Sequence, residues 1–158
     1  MGLLIREYRP ADAAAVRRCV VELQDFERVL DPRLRPGETM ADAYCDRIHA
    51  RCVDADGRVF VTEQNGSVVG FVAVFAGEPF TELDEPPGTF ALISDLVVLS
   101  PFRSRGIGRR LLERAEAFAR EADARELRIG VLAENLAARQ IYLASGFTPH
   151  LEILVKRW

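Results

Sequence analysis

The sequence predicts an α/β fold in which helices flank a mixed β-sheet, and three observations predict it. Short segments rich in β-branched and aromatic residues alternate with segments whose apolar residues recur at helical spacing. They read as a strand, two helices, three strands, a helix, a strand, a helix and a strand, an order typical of helices packed on a sheet. A chain of 158 residues is expected to form one domain, 1–158, with a full hydrophobic core.

The clearest local pattern is a β-hairpin. Two segments rich in β-branched and aromatic residues, Arg58–Gln64 and Ser67–Phe75, flank Asn65 and Gly66. Because Asn-Gly tolerates the positive φ angles of a tight type I′ turn, these segments are expected to pair. The other strands are expected at Leu3–Tyr8, Thr89–Leu99, Leu127–Ala133 and Leu151–Val155, and the helices after Asp12, within Glu38–Val53, and at about Arg109–Ala122 and Asn135–Ser145.

Composition excludes several classes of partner. The chain has 21 Lys and Arg against 24 Asp and Glu, a net charge of −3, whereas sequence-independent nucleic-acid binding needs many basic residues to displace counterions. No apolar run approaches the roughly 18 residues of a membrane span, and Met1–Pro10 has no signal-peptide apolar stretch. We therefore expect no nucleic-acid partner, no membrane partner and a cytoplasmic location.

The three cysteines form no CxxC motif, as expected in a reducing compartment. Cys45, His49 and Cys52 are spaced to share one helix face, and both residue types bind zinc. No fourth ligand lies nearby in the sequence, and buried free cysteines are common in protein cores. We expect core residues here and no metal.

The segment Leu96–Gly108 carries the strongest chemical signal. An apolar strand leads into a glycine-containing turn and then directly into a helix, so unpaired backbone N–H groups and the positive end of the helix dipole point at one place. This arrangement suits an anion, most naturally a phosphate. Gly106 and Gly108 let the backbone approach the ligand closely. Four positive charges without an intervening acid come from Arg103, Arg105, Arg109 and Arg110.

Two common phosphate-binding motifs do not fit this segment. A Rossmann fingerprint needs glycine where Leu111 stands and normally falls in the first strand–helix unit. A Walker A loop needs Gly-Lys-Ser or Gly-Lys-Thr, which the sequence lacks. The alternative to a phosphate site is an ordinary strand-to-helix loop with solvated arginines.

A second segment favours a ligand. Asn135 is expected to cap the helix that it begins, and Ala138 and Tyr142 follow at spacings that place them on the same face. An amide, a small residue and a phenol on one stripe suit a slender ligand lying along the helix. A capping Asn and a half-buried Tyr are also common separately.

Together, these segments resemble the GNAT superfamily of N-acetyltransferases. The run Arg103-Ser104-Arg105-Gly106-Ile107-Gly108 matches the family signature Arg/Gln-x-x-Gly-x-Gly/Ala, and residues 133–147 are similar to the family block in which Asn, Ala, Tyr and Gly-Phe recur. The resemblance implies an acyl-CoA N-acyltransferase-like mixed sheet of about seven strands with about four helices, and parallel central strands splayed around the cofactor. It also implies acetyl-CoA as co-substrate and a primary amine as acceptor.

The resemblance also implies roles for single residues. Main-chain groups near Val98 would bind the pantetheine arm, and the Val98 N–H would polarise the thioester carbonyl. The Arg103–Gly108 loop would bind the pyrophosphate, and Tyr142 would act as general acid at the sulfur. The implied cofactor-binding residues are Leu96, Val97, Val98, Arg103, Ser104, Arg105, Gly106, Ile107, Gly108, Arg109, Asn135, Ala138 and Tyr142.

The proposed general base is Asp95. It resembles an aspartate of the spermidine/spermine N-acetyltransferases, although those enzymes carry a glutamate where this chain has Ser94. Leu92 stands where histone-type members of the family place a glutamate base, which removes that assignment. The alternative role for Asp95 is a structural hydrogen bond.

The loop before this strand is acidic, with four acids and no basic residue between Gly77 and Gly88. Such a loop would attract a cationic acceptor, so Glu82, Asp84 and Glu85 are the expected substrate-binding residues. An ordinary solvated loop is the alternative.

The favoured function is direct acetyl transfer from acetyl-CoA to a primary amine, of a small cationic or polyamine-like kind, in a ternary complex. The alternatives are a non-catalytic CoA-binding or regulatory module and a phosphate-binding structural domain. The apolar carboxyl-terminal strand that ends at Trp158 offers an edge for a homodimer.

Overall fold

The computed structural model describes residues 2–158 and contains a five-stranded sheet whose strand order, β1-β2-β3-β4-β5, follows the chain. The first four strands are antiparallel neighbours, and β5 runs parallel to β4. The predicted mixed sheet is confirmed. Its strands are β1 (Leu3–Glu7), β2 (Gly57–Gln64), β3 (Ser67–Pro79), β4 (Thr89–Val98) and β5 (Leu127–Ile129).

Four α-helices accompany the sheet: α1 (Ala13–Leu30), α2 (Ala41–Asp54), α3 (Ile107–Glu121) and α4 (Leu136–Ala144). One apolar cluster joins α1 and α2 to one face of the sheet, and a second cluster joins α3 to the other face. Because both faces are covered, β3 is buried almost continuously instead of alternating. Within residues 2–158, every helix is too short or too polar to span a bilayer.

The predicted hairpin is confirmed. Gln64 pairs with Ser67, and the intervening residues, Asn65 and Gly66, have φ angles of 52° and 77°. These positive values are those that a type I′ turn requires.

A bulge in β4 determines which side chains face α1 and α2. Asp95 pairs with Ala73 and Ile93 pairs with Val74, so Ser94 is an extra residue in the ladder. Ile93 packs in the α3 cluster, whereas Val97 packs in the cluster of α1 and α2. Because alternate residues of a strand share a face, Asp95 points with Val97 towards α1 and α2.

The prediction of a strand at Leu151–Val155 is wrong. Residues 147–158 have no regular secondary structure, and Leu151 and Leu154 are 81% and 85% exposed. An apolar run forms a strand only where a neighbouring strand pairs with it, and no described strand pairs with this one. The sheet therefore has five of the six strands that the sequence pattern predicts, against the about seven that the resemblance implies, and the parallel pair lies at its edge instead of its centre.

Candidate active site

A gap opens between β4 and β5. The two strands pair only between Ala91–Ile93 and Leu127–Ile129, whereas β4 continues to Val98. The N–H of Leu99 donates to the Val69 carbonyl on β3. Since backbone donors alternate in direction along a strand, the N–H groups of Val98 and Leu96 point into the gap. These are the main-chain groups predicted to meet a pantetheine arm.

The amino terminus of α3 leaves backbone donors available beside this gap. Gly106 is the N-cap residue with φ of 75°, and no side chain caps the helix. The first intrahelical bond runs from the N–H of Arg110 to the Gly106 carbonyl, so the preceding N–H groups are free for a ligand. A Cβ added at Gly106 would meet nothing within 4 Å. The loop therefore has the geometry of an open anion site.

The arginines of this loop differ in their contacts. The Arg103 guanidinium donates to the Val98 carbonyl (Nε to O, 2.8 Å) and pairs with Glu22 (3.0 Å). These bonds fix the loop to β4 and α1. Arg105 and Arg109 are exposed, although Arg109 also pairs with Glu113 one turn along α3. Arg110 is exposed as well and forms no ion pair among residues 2–158, so positive charge is available at the α3 terminus from Arg105, Arg109 and Arg110.

The predicted cap of α4 is confirmed. Asn135 is the N-cap residue, and its Oδ1 accepts the Ala138 N–H at 3.2 Å. Tyr142 lies on the same helix and packs against Phe147, with ring centroids 6.1 Å apart. Burial, with a smaller contribution from the charge of Glu27, raises the pKa of Tyr142 to about 12. The Tyr142 hydroxyl therefore keeps its proton at neutral pH.

Asp95 is 3% exposed and accepts two hydrogen bonds from hydroxyl groups. The Tyr44 hydroxyl donates to Oδ1 at 2.8 Å, and the Ser94 hydroxyl donates to Oδ2 at 2.5 Å. Burial raises the pKa of Asp95, and the two hydrogen bonds and the charge of Arg51 only partly oppose this. Asp95 therefore makes the structural hydrogen bonds of the alternative role and also has the raised pKa that suits a base.

Two cavities meet at Asp95, and Tyr44 and Ser94 also line both. The larger one, the arginine cavity, has a volume of about 130 Å³ and is lined by Arg47 and Arg51. The smaller one, the acidic cavity, has a volume of about 60 Å³ and is lined by Glu27. The surroundings of Asp95 thus carry opposite charges on its two sides.

Glu27 is a site residue that the sequence interpretation missed. Burial and the neighbouring charge of Asp95 raise its pKa. A signal for it exists, because Glu27 follows the buried Val20 and the core-packed Leu23 by seven and four positions. It is therefore a carboxylate at a position of α1 where the helical pattern predicts an apolar residue.

Within the acidic loop, Glu78 pairs with Arg51 of the arginine cavity, but the three predicted substrate-binding acids lie elsewhere. The Glu85 carboxylate accepts the N–H groups of Thr81 and Glu82, both at 3.1 Å, and pairs with Arg128. Glu82 and Asp84 are exposed. None of the three predicted substrate-binding acids, Glu82, Asp84 and Glu85, lines either cavity at Asp95.

The three residues weighed as zinc ligands pack as core residues. His49 packs against Tyr8 with ring centroids 4.8 Å apart and tilted ring planes, and Cys45 and Cys52 pack against the cluster of α1 and α2. Among residues 2–158, no group of three or more His, Cys, Asp or Glu side chains is placed to hold a metal ion.

Two curated proteins align along most of this chain. An uncharacterized N-acetyltransferase of Bacillus subtilis, YhfO, is 24% identical, covering 90% of this chain and 88% of its own length. A thialysine N-epsilon-acetyltransferase of Bos taurus is 23% identical, covering 91% of this chain and 83% of its own length.

Solved structures share the fold. A GCN5-related N-acetyltransferase from Ralstonia eutropha superposes with a TM-score of 0.75 at 22% identity, covering 99% of both chains. AAC(6')-Iy, solved with a bisubstrate analogue of CoA and acetylneamine, superposes with a TM-score of 0.71 at 19% identity, covering 100% of this chain and 99% of its own. The acetyltransferase (GNAT) family model matches residues 21–147, well over half of the sequence, and this chain therefore belongs to the GNAT family of acetyltransferases.

Proposed function

We propose that this chain transfers the acetyl group of acetyl-CoA to the primary amine of a small cationic acceptor, by direct attack in a ternary complex. The observation that carries the proposal is the gap between β4 and β5, which begins beyond Ile93, includes the β4 position of Asp95, and is followed along the chain by the uncapped amino terminus of α3. Family membership supports acyl transfer. The similar thialysine N-epsilon-acetyltransferase, and AAC(6')-Iy, an aminoglycoside N-acetyltransferase of the same fold, support an amine acceptor.

The residues around the gap fit coenzyme A. The free N–H groups at the start of α3, with Arg105 and Arg109, suit the pyrophosphate. The N–H group of Leu96 suits an amide carbonyl of the pantetheine arm, as does the side-chain NH₂ of Asn135. When bound, acetyl-CoA supplies an acetyl group activated as a thioester.

The chain's own residues then supply orientation and proton transfer. The Val98 N–H polarises the acetyl carbonyl as the amine nitrogen forms its bond to carbon. The Tyr142 hydroxyl gives its proton to the sulfur as the carbon–sulfur bond breaks, and the second proton that the attacking nitrogen loses restores this hydroxyl. The Ser94 hydroxyl, which lines both cavities and donates to Asp95, passes the proton of the acceptor's ammonium to the Asp95 carboxylate.

The acidic loop has a role in attracting the acceptor. Glu82 and Asp84 are exposed, and Glu85 holds the loop by accepting its backbone N–H groups. Because none of them lines the cavities at Asp95, we assign them to long-range attraction of a cation and not to direct contact in the transfer step.

The chain forms a homodimer in this proposal, through its carboxyl-terminal segment 148–158. Leu151, Leu154 and Trp158 of this segment are at least 81% exposed, and the outer edge of β5 has no strand partner among residues 2–158. A second copy of the segment laid along this edge would cover both surfaces. The three free cysteines fit a cytoplasmic location.

A thiol-release assay tests the proposed activity. The chain is incubated with acetyl-CoA and a panel of primary amines, and the acetylated product is identified by mass spectrometry. We expect free thiol and N-acetylated amine to form in equal amounts with at least one acceptor. Tight binding of acetyl-CoA without transfer to any amine would instead favour the non-catalytic CoA-binding module.

A further inference from the structure

Asp95 lies between two cavities of opposite charge. Tyr44 and Ser94 complete the wall that the cavities share. On one side the only charged residue besides Asp95 is Glu27, and on the other side the additional charged residues are Arg47 and Arg51. A ligand that reaches Asp95 and fills both cavities therefore meets an acid at one end and two arginines at the other.

The two arginines belong to one face of α2. Arg47 and Arg51 are four residues apart, and Tyr44 and Ile48 share their face. Arg51 is held in place, because it pairs with Glu78 and its guanidinium lies 4.2 Å from the centroid of the Phe75 ring. Within residues 2–158, ion pairs form at Asp42 and Arg51 of this helix but not at Arg47. Arg47 thus has no internal partner that would compete with a ligand.

A purely cationic acceptor does not suit the arginine cavity. A polyamine bound at Asp95 and extending into this cavity would bring a second ammonium group beside Arg47 and Arg51. Because Glu78 balances the charge of Arg51, the like-charge repulsion comes chiefly from Arg47. A carboxylate in the same place meets planar guanidinium groups that bind carboxylates with two parallel hydrogen bonds. The cavity volume of about 130 Å³ exceeds the roughly 30 Å³ that one water occupies in the liquid. A carboxylate with its neighbouring carbon therefore fits.

On the basis of the proposed acetyl transfer, we infer that the acceptor is a zwitterion whose ammonium binds at Asp95 and the acidic cavity and whose carboxylate binds Arg47 and Arg51 in the arginine cavity. A diamino acid with one carboxylate has this pattern. It keeps a net charge of +1, so it is still attracted by the acidic loop. The amine that lies at Asp95 is the one that is acetylated.

Matched pairs of acceptors test this inference. Lysine is compared with cadaverine, and ornithine with putrescine, since each pair differs only by the carboxylate. We expect kcat/KM to be at least about tenfold higher for the carboxylated member, as for one good charge-assisted contact. In the Arg47→Gln variant, KM should rise for the carboxylated member and stay unchanged for the decarboxylated one, so most of this preference should be lost. The Arg47→Lys variant should keep part of it. Arg120→Gln, which removes an exposed arginine on α3 that pairs with Glu116, is the control.

Calorimetric titration of the same amines into the protein with CoA gives a readout independent of turnover. Tighter binding of the carboxylated members, lost in Arg47→Gln and kept in Arg120→Gln, supports the zwitterionic acceptor. Equal or tighter binding of the decarboxylated members overturns it, as does an equal effect of Arg47→Gln on both members. If no amine is acetylated, the proposed activity fails, and the titration still decides whether the cavity binds a carboxylate.

Discussion

The Tyr44 hydroxyl donates a 2.8 Å hydrogen bond to Oδ1 of Asp95. This bond joins α2 to the bulged part of β4, and it is possible only because the extra residue Ser94 turns Asp95 towards the helices. Asp95 is buried, so each donor that stabilises its charged form lowers a pKa that burial raises. The contact therefore links the stability of the fold to the strength of the proposed base.

Removing this donor should affect both stability and pH dependence. The Tyr44→Phe variant leaves a buried carboxylate with one hydroxyl donor fewer, at a cost of about 1–3 kcal/mol in the free energy of unfolding. The pKa of Asp95 should rise further, so the acid limb of the kcat/KM profile should move to higher pH. Urea denaturation and a pH–rate profile measure the two effects. Tyr8→Phe is the control, and an acid limb that does not move in Tyr44→Phe would remove Asp95 as the base.

A carboxylate at the α3 terminus should abolish the anion site. In Gly106→Glu the new charge would face the free N–H groups where the pyrophosphate is proposed to bind, so we expect acetyl-CoA affinity to fall at least about 100-fold, or ~2.7 kcal/mol. Gly66→Glu is a matched control, because Gly66 also has a positive φ, of 77°, and a Cβ there also meets nothing within 4 Å. Titration calorimetry measures the acetyl-CoA affinity of both variants. Equal losses in both variants would show that backbone strain alone is responsible.

The acidic loop should act through long-range attraction. Replacing Glu82 and Asp84 by their amides keeps Glu85, which holds the loop, and should raise KM for a cationic amine about threefold at low salt. At 1 M salt, where the Debye length is about 3 Å, the difference should disappear. The control is the double variant Glu121→Gln/Asp123→Asn, which removes the same number of negative charges at the far end of α3. A salt-independent effect would instead indicate direct contact with the acceptor.

The carboxyl-terminal segment should carry the dimer contact. Analytical ultracentrifugation of the full chain should give twice the monomer mass of 17.7 kDa. A chain ending at Phe147 should sediment as a monomer with an unchanged far-ultraviolet spectrum, because residues 148–158 have no regular secondary structure. A variant with Leu151, Ile153 and Leu154 changed to Ser keeps the full chain length and should also sediment as a monomer. A monomeric full chain contradicts the proposal.

Much of the fold was predictable because its signals are local. The Asn65-Gly66 turn, the Asn135 cap and the glycine-containing entry to α3 each follow from the conformational preferences of a few adjacent residues. The predicted strand at Leu151–Val155 failed for the opposite reason. Its apolar pattern is genuine, but pairing depends on a partner strand that residues 2–158 do not supply.

The sequence predicts the continuous segments of the candidate site and Asp95, but not the side chains that surround Asp95. The segment Leu96–Gly108 is continuous in sequence, so the spacing of its residues is enough to predict their arrangement. The acceptor side is assembled from α1, α2 and β4, and Glu27 and Tyr44 meet Asp95 only through tertiary packing around a bulge. No local pattern of the sequence predicts the hydrogen bond of Tyr44 to Asp95.

The most direct test of acetyl transfer at this site is the Tyr142→Phe variant. Burial keeps the Tyr142 hydroxyl protonated, with a pKa of about 12, so it can supply a proton to the departing sulfur across the neutral range. Single-turnover rates and the acetyl-CoA Kd are measured side by side. We predict a rate at least about 100-fold lower with a Kd within twofold of the unchanged protein. An equal rate in the variant would contradict the assignment of Tyr142 as the general acid.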